Sequence, residues 1–327
     1  MNALSSLTLG IDLGGTTFTA GSVDESGAVT AALERKTLQH EGPDRLLPRL
    51  ADAAQEVRAA VSSSAAAINA LGIGVPGPVK HREGICVYAP NLEGWTNLAV
   101  APPLRERLGI PVYVLNDANA ATLAEARFGA GRNARSMLLL TLGTGIGSGL
   151  IVDHQLYIGA TERGAEVGHT TVDFDSKRGS AGNVGTLESV CGRDAIVWRA
   201  LRHLGHGRAS ILQEVCGGDL TTLTPRSIAE AASAGDAIAC KVWEETAVYL
   251  AVGIINVVFT VDVERVVIGG GIAQAGSVLF DPLRRAVTAR TSRLTFDVSQ
   301  IVPAELGPQA GLIGAAQWAR ERFAADG

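Results

Sequence analysis

Residues 7–27, LTLGIDLGGTTFTAGSVDESG, and residues 136–159, SMLLLTLGTGIGSGLIVDHQLYIG, follow one pattern. Each runs as an apolar strand, a glycine-rich turn, a strand and a polar turn, with a further strand following in the first and closing the second. Two hairpins could match by chance. The glycine turns fall at equivalent places, however, so the chain reads as a duplicated architectural unit.

Outward from the first copy, AVTAALERKT is a third strand, and apolar positions at helical spacing predict a helix over 44–68. LGIGVPG and VYVLND follow as strands, and ANAATLAEARFGAG is a helix with a glycine stop at Gly129 or Gly131. Beyond the second copy the spacing predicts helices over 188–204, 226–234, 236–260, 276–291 and 309–324. The strands RVVIGGG and DVSQIVPA lie between the later helices. Strands alternating with helices in two similar halves predict an α/β chain with two lobes around a cleft. The first lobe is expected at residues 1–117 plus the C-terminal helix at about 309–327, and the second at 118–308.

The composition is that of an ordinary globular chain, with 46% hydrophobic and 19% charged residues. A net charge of −5 and the lack of long Lys/Arg runs argue against a nucleic-acid partner. No basic segment precedes an apolar core at the N-terminus, as a signal peptide would need. The uncharged run from Thr246 to Val261 falls about four residues short of a membrane span, so a buried helix is expected there. Four scattered cysteines without a C-x-x-C pair point to reduced thiols and a cytoplasmic protein.

Three glycine clusters and one acid carry the candidate chemistry. Asp12, Gly14, Gly15, Thr16 and Thr17 end a buried strand. Bare backbone N–H groups and hydroxyls there suit a phosphate, and the acid suits Mg²⁺ held through water. An ordinary type I′ or II′ hairpin is the competing reading. The turn at Gly143, Thr144 and Gly145 is denser in glycine than a hairpin needs. It is neither a Walker loop nor a dinucleotide fingerprint. Two such turns, one per half, could clasp a polyphosphate. Gly270 and Gly271 could lie against an adenine or ribose, or could serve tight strand–helix packing. Asp117 follows a buried strand and starts a helix. It is either a helix cap or a base that accepts a proton from a substrate hydroxyl attacking a γ-phosphoryl group.

The motifs Asp12-x-Gly-Gly-Thr, VPGPV (75–79), NLEGW (91–95), NDANAA (116–121), LGTGIGSG (142–149), GAEVGH (164–169) and IGGGI (268–272) together resemble the ROK family of repressors and sugar kinases. The resemblance runs from residue 8 to about 320. It implies the duplicated actin/hexokinase-type (ribonuclease H-like) ATPase fold and ATP-dependent phosphorylation of a hexose, glucose first. Fructose, mannose, allose and N-acetylhexosamines are the alternatives. By position it makes Asp117 the base and brings Asn91, Asn116, Glu166, His169 and Glu188 to the sugar. The phosphates and Mg²⁺ fall to Asp12, Gly14, Gly15, Thr16, Thr17, Gly143, Thr144 and Gly145, and the nucleoside to Gly270 and Gly271. A homodimer is also implied.

One segment departs from the family. Many members follow the GH dipeptide with C-x-C-G-x-x-G-C, whose cysteines and histidine hold a structural zinc. Here those cysteine positions carry Gly179, Ala181 and Thr186. None of the three is a zinc ligand, and Cys191 lies outside the pattern, so a member without structural zinc is expected. A family repressor would carry a DNA-binding domain ahead of the first strand, which begins by Leu7. A silent sugar sensor would not need Asp117 and both turns intact, and a polyphosphate-driven kinase would want a basic track along the cleft. The kinase reading leads.

Overall fold

The computed structural model describes residues 6–62, 67–205, 209–292 and 295–326. The chain forms two compact units. The first is Met1–Asn133, Gln155–Ala165 and Glu305–Gly327, and the second is Ala134–His154 and Glu166–Ala304.

In the first unit β1 (Leu7–Leu13), β2 (Thr17–Val23) and β3 (Val29–Lys36) are followed by helix α1 (Pro43–Val61) and β4 (Ile68–Val75). A small antiparallel sheet comes next: β5 (Val79–Lys80), β6 (Ile85–Tyr88) and β7 (Thr96–Ala99). Helix α2 (Ala101–Leu108), β8 (Val112–Asn116) and α3 (Asp117–Phe128) complete this stretch. The main sheet has the order β3-β2-β1-β4-β8. Its first three strands are antiparallel, and β4 and β8 run parallel to β1.

Alternation along β1 and β4 sorts the two faces. Leu9, Ile11, Leu13, Leu71, Ile73 and Val75 pack with Leu46, Leu50 and Val57 of α1. The other face carries Gly10, Gly72 and Asp12, and α10 (Ala310–Asp326) lies on it. A Cβ on Gly10 would collide with the Leu312 carbonyl, one on Gly72 with the Ala315 carbonyl, and one on Gly314 with the Ala120 carbonyl. Helix, sheet and α3 therefore meet backbone to backbone, which only glycine permits. This packing draws all of α3 into the first unit, so the unit extends past Asp117 to Asn133.

In the second unit β9 (Met137–Leu142) pairs antiparallel with β10 (Ile146–Val152) and parallel with β14 (Arg265–Gly269), which pairs parallel with β15 (Ile301–Pro303). β11 (Gln155–Tyr157) lies in the stretch assigned to the first unit. The series β10-β9-β14-β15 repeats β2-β1-β4-β8 in order and direction, so the duplication holds in the strand topology. A short hairpin pairs β12 (Gly179–Ser180) with β13 (Asn183–Val184). The helices are α4 (Leu187–Cys191), α5 (Arg193–Leu204), α6 (Leu212–Val215), α7 (Pro225–Ser233), α8 (Ala237–Val261) and α9 (Ser277–Thr288).

Two expectations change. The helix expected over 188–204 is two helices broken at Gly192, where a Cβ would come within 2.9 Å of the Thr144 and Glu188 carbonyl oxygens. The helix expected over 44–68 ends at Val61, residues 63–66 lie outside the described residues, and β4 begins at Ile68. Helix α8, Ala237–Val261, is the helix expected over 236–260. At 25 residues it has the length and apolarity to cross a membrane, and half of its most apolar window is buried within the protein. Trp243, Leu250 and Ile254 are among its buried residues, and it packs on α5, α7 and α9. All four cysteines are free. Burial pushes the thiols of Cys86 and Cys191 up to about 11 and about 12.

Candidate active site

In the first unit Asn116 and Asp117 sit where β8 gives way to α3. The cap is Asn116, whose Oδ1 accepts from Asn119 N–H at 3.0 Å. Its Nδ2 donates to the Gly77 carbonyl at 3.1 Å and to Asp117 Oδ1 at 2.9 Å. Asp117 Oδ1 also accepts from Ala118 N–H at 2.8 Å. With capping done by its neighbour, Asp117 is left as the first helical residue with its carboxylate oriented by two donors. Burial pushes its carboxyl above the ordinary value, against the pull of those donors. VPGPV is explained as well: it presents the Gly77 carbonyl that holds Asn116.

Asp12 lies on the α10 face of β1, and a Cβ on Gly311 would collide with its carboxylate. Burial first, and the Asp117 carboxylate second, raise Asp12 to about 7. A buried acid whose proton affinity is raised further by a neighbouring carboxylate is also suited to a hard divalent cation. Gly311 was not singled out in the sequence, although a glycine within a helix was the available signal.

Beside Asp12 the Gly14–Thr17 turn closes with Gly14 N–H donating to the Thr17 carbonyl at 3.0 Å. Neither Gly14 nor Gly15 has a positive φ, so this is not the I′ or II′ hairpin weighed from the sequence. The glycines answer to space instead. A Cβ on Gly14 would lie 2.8 Å from the Thr17 carbonyl oxygen, and one on Gly15 would lie 3.2 Å from Asn91 Cβ. Asn91 thus abuts the turn. Thr16 is exposed and Thr17 half-buried, and Thr37 Oγ1, unmarked in the sequence, donates to the Gly14 carbonyl at 2.7 Å.

In the second unit the Gly143–Gly145 turn and the Gly270–Gly271 cluster adjoin, because β14 pairs with β9 up to Gly269 and Thr141. Gly270 has φ 83°, and a Cβ there would collide with Leu142. The Gly192 break lets Arg193 N–H donate to the Gly143 carbonyl at 3.0 Å. Glu188 Oε2 accepts from Ile146 N–H at 2.9 Å, so this acid is bound to the turn. Gly143 and Gly271 differ from the rest. A Cβ on Gly271 would meet nothing within 4 Å, and one on Gly143 only the Gly145 carbonyl oxygen at 3.9 Å. Neither has a positive φ, so nothing in the fold forbids a side chain at either place.

Glu166 precedes and His169 ends a single 3₁₀ turn, Val167–His169, docked on β10. Val167 N–H donates to Ser148 Oγ at 2.8 Å, and a Cβ on Gly168 would collide with the Ile146 carbonyl. His169 Nε2 and Glu166 Oε2 are 4.0 Å apart, each side chain about one-third exposed (34% and 39%). The following loop is held by hydrogen bonds. Asn183 Nδ2 donates to the His169 carbonyl at 3.0 Å, Thr171 Oγ1 to the Val184 carbonyl at 2.9 Å, and Leu187 N–H to the Thr170 carbonyl at 3.0 Å. Thr186 and Ser180 extend this set to the imidazole. Among the described residues no three His, Cys, Asp or Glu side chains are grouped to hold a metal ion.

The chain was compared with known proteins. It is similar to the glucokinase of Thermotoga maritima, with 35% identity covering 96% of this chain and 98% of that one. The crystal structure of a ROK family glucokinase from Streptomyces griseus in complex with glucose and AMPPNP matches it with a TM-score of 0.76 and 31% identity. That match covers 97% of this chain and all of the other. The ROK hexokinase of Thermus thermophilus matches with a TM-score of 0.79 and 29% identity, over 98% and 100% of the two chains. The ROK family model spans residues 8–322, and the chain, with its duplicated α/β fold, belongs to the ROK family.

Proposed function

We propose that the protein is an ATP-dependent sugar kinase of the glucokinase type, moving the γ-phosphoryl group of ATP to glucose and forming glucose 6-phosphate. The observation that carries the reading is Asp117: a carboxylate oriented by Asn116 and Ala118, with its proton affinity raised by burial, in the same unit as Asp12 and the Gly14–Thr17 turn. The relatives named glucokinase and the glucose–AMPPNP neighbour supply the substrates.

Asp117 accepts the proton of the 6-hydroxyl as the sugar oxygen bonds to the γ-phosphorus and the bridge to ADP breaks. Its raised pKa brings it nearer the operating pH, where a base is most effective. Asn116 orients it and, with Asn91, faces the sugar ring. In the second unit Glu166, His169 and Glu188 serve the ring near its first carbons. Gly14, Gly15, Thr16, Thr17, Gly143, Thr144 and Gly145 receive the phosphates, and Gly270 and Gly271 the nucleoside. The absence of any packing reason for glycine at 143 and 271 supports a ligand lying on that bare backbone.

Asp12 would hold Mg²⁺ through water. The fit rests on an oxygen donor at the end of a buried strand whose charged form now stands against Asp117, a conflict that a divalent cation relieves. When bound, Mg²⁺ would neutralise charge on the transferring phosphates. Gly179, Ala181 and Thr186 support a loop that orders without structural zinc. The free cysteines, two of them buried, support a reducing cytoplasmic location, and the family resemblance supports a homodimer.

A coupled ADP-release assay with Mg-ATP against glucose, fructose, mannose, allose and N-acetylhexosamines tests the reading. Glucose should give the highest kcat/KM. Tight glucose binding without turnover of any hexose would make the protein a sugar sensor instead.

A further inference from the structure

Three hydroxyl and imidazole groups form a chain at the base of the Glu166–His169 turn. Thr186 Oγ1 lies 2.9 Å from Ser180 Oγ, and Ser180 Oγ lies 3.0 Å from His169 Nδ1. Burial sets the direction of proton donation along it. Thr186 is completely buried, and its Oγ1 already accepts from Ser189 N–H at 3.3 Å. A buried hydroxyl must place its own proton, and among the described residues Ser180 Oγ is the side-chain oxygen within reach. Ser180 Oγ, accepting from Thr186, turns its proton to His169 Nδ1. An Nδ1 that accepts leaves the ring proton on Nε2.

We infer that Ser180 and Thr186 are positioning residues that hold His169 as the Nε2–H tautomer, presenting a donor 4.0 Å from the acceptor Glu166 Oε2 so that one sugar hydroxyl can accept from the imidazole and donate to the carboxylate. Thr186 also caps α4, the helix that carries Glu188. One buried hydroxyl therefore sets both the imidazole and the acid tied to the glycine turn. This inference rests on the sugar-kinase reading for the identity of the ligand, but the tautomer does not depend on it.

The test uses the full chain with ¹⁵N-labelled histidine at a pH where the ring is neutral, with His169 assigned by His169→Gln. Two-bond ¹H–¹⁵N correlations should show the Nε2–H form in the wild type, a mixture in Ser180→Ala, and the Nε2–H form again in Ser180→Thr. Ser180→Ala should raise the glucose KM about three- to tenfold, the effect of one neutral hydrogen bond, with kcat and the ATP KM nearly unchanged. Thr186→Val would also remove the α4 cap, so Ser180 is the variant that separates positioning from folding. A wild-type Nδ1–H tautomer would overturn the relay, as would a Ser180→Ala protein with unchanged tautomer and KM. A His169→Gln enzyme with an unchanged glucose KM would instead overturn the sugar contact, whatever tautomer the ring holds.

Discussion

Glu188 Oε2 accepts a hydrogen bond from the backbone N–H of Ile146 at 2.9 Å, joining the acid of α4 to the turn between β9 and β10. Gly145 makes room for it, since a Cβ there would run into the carboxylate. Gly145→Ala should displace a hydrogen bond made to a charged group. That predicts a loss of roughly ten- to a hundredfold in kcat/KM for ATP, with a parallel loss for glucose. Steady-state kinetics with each substrate varied in turn reads both. A variant that loses only ATP affinity would show that Glu188 has no part in holding sugar.

Gly143→Ala and Gly271→Ala probe the opposite situation. Both positions have space for a methyl group and ordinary backbone angles. Thermal unfolding should be unchanged or slightly raised, as expected when a freer backbone is restrained in the unfolded chain. The KM for Mg-ATP should nevertheless rise about tenfold or more, because the methyl occupies the space of the ligand. Wild-type ATP kinetics in both variants would remove these glycines from the nucleotide site.

Asp117→Asn keeps an oxygen for the Asn116 and Ala118 donors and removes the base. Turnover should fall by roughly 10²–10⁴, the range for loss of a positioned base, while glucose affinity by calorimetry stays within a few-fold. A variant with near-wild-type kcat would sink the assignment.

The pH dependence of stability follows from Asp12. Its carboxyl is raised from 3.8 to about 7, so the folded state holds a proton that the unfolded chain releases near pH 4. In EDTA, the Asp12 contribution to stability should be fully present below about pH 4, fall as pH rises through 7, and level off above. Asp117 is raised also and adds to the same slope. Denaturant titrations from pH 5 to 8.5 measure it. Mg²⁺ should flatten the upper part, and Asp12→Asn should remove part of the decline. A slope of opposite sign would refute the buried-acid account.

Much of this was legible in the sequence because strong periodic signals and local packing agreed. LTLGID and SMLLLTL read as strands and are strands, and glycine-rich turns marked both halves. Asp117 could be placed at a strand end, although its release from capping duty depends on Asn116, which the sequence could not rank above it. LESVCGRDAIVW keeps helical spacing across Gly192. At the break Gly192 lies against the Thr144 carbonyl and Arg193 N–H donates to the Gly143 carbonyl, contacts distant in sequence. The β5–β7 sheet was missed because strands of two and four residues carry too few positions to show a period. Ser180 was hidden for a related reason: a hydroxyl has no spacing signature, and its partners are set by the path of the loop around it.

The glycine seat of α10 has a consequence for synthesis. The sheet face bearing Gly10 and Gly72 is formed early in translation, yet the helix that covers it follows the whole second unit in the chain. Until that helix emerges from the ribosome, the face that bears Asp12 stays open and the first unit lacks one of its layers. The second unit can fold while the first waits. Nascent chains arrested before Ala310 should therefore remain protease-sensitive in residues 6–133 and hold chaperones there, an order of maturation imposed by two bare backbone positions on the sheet.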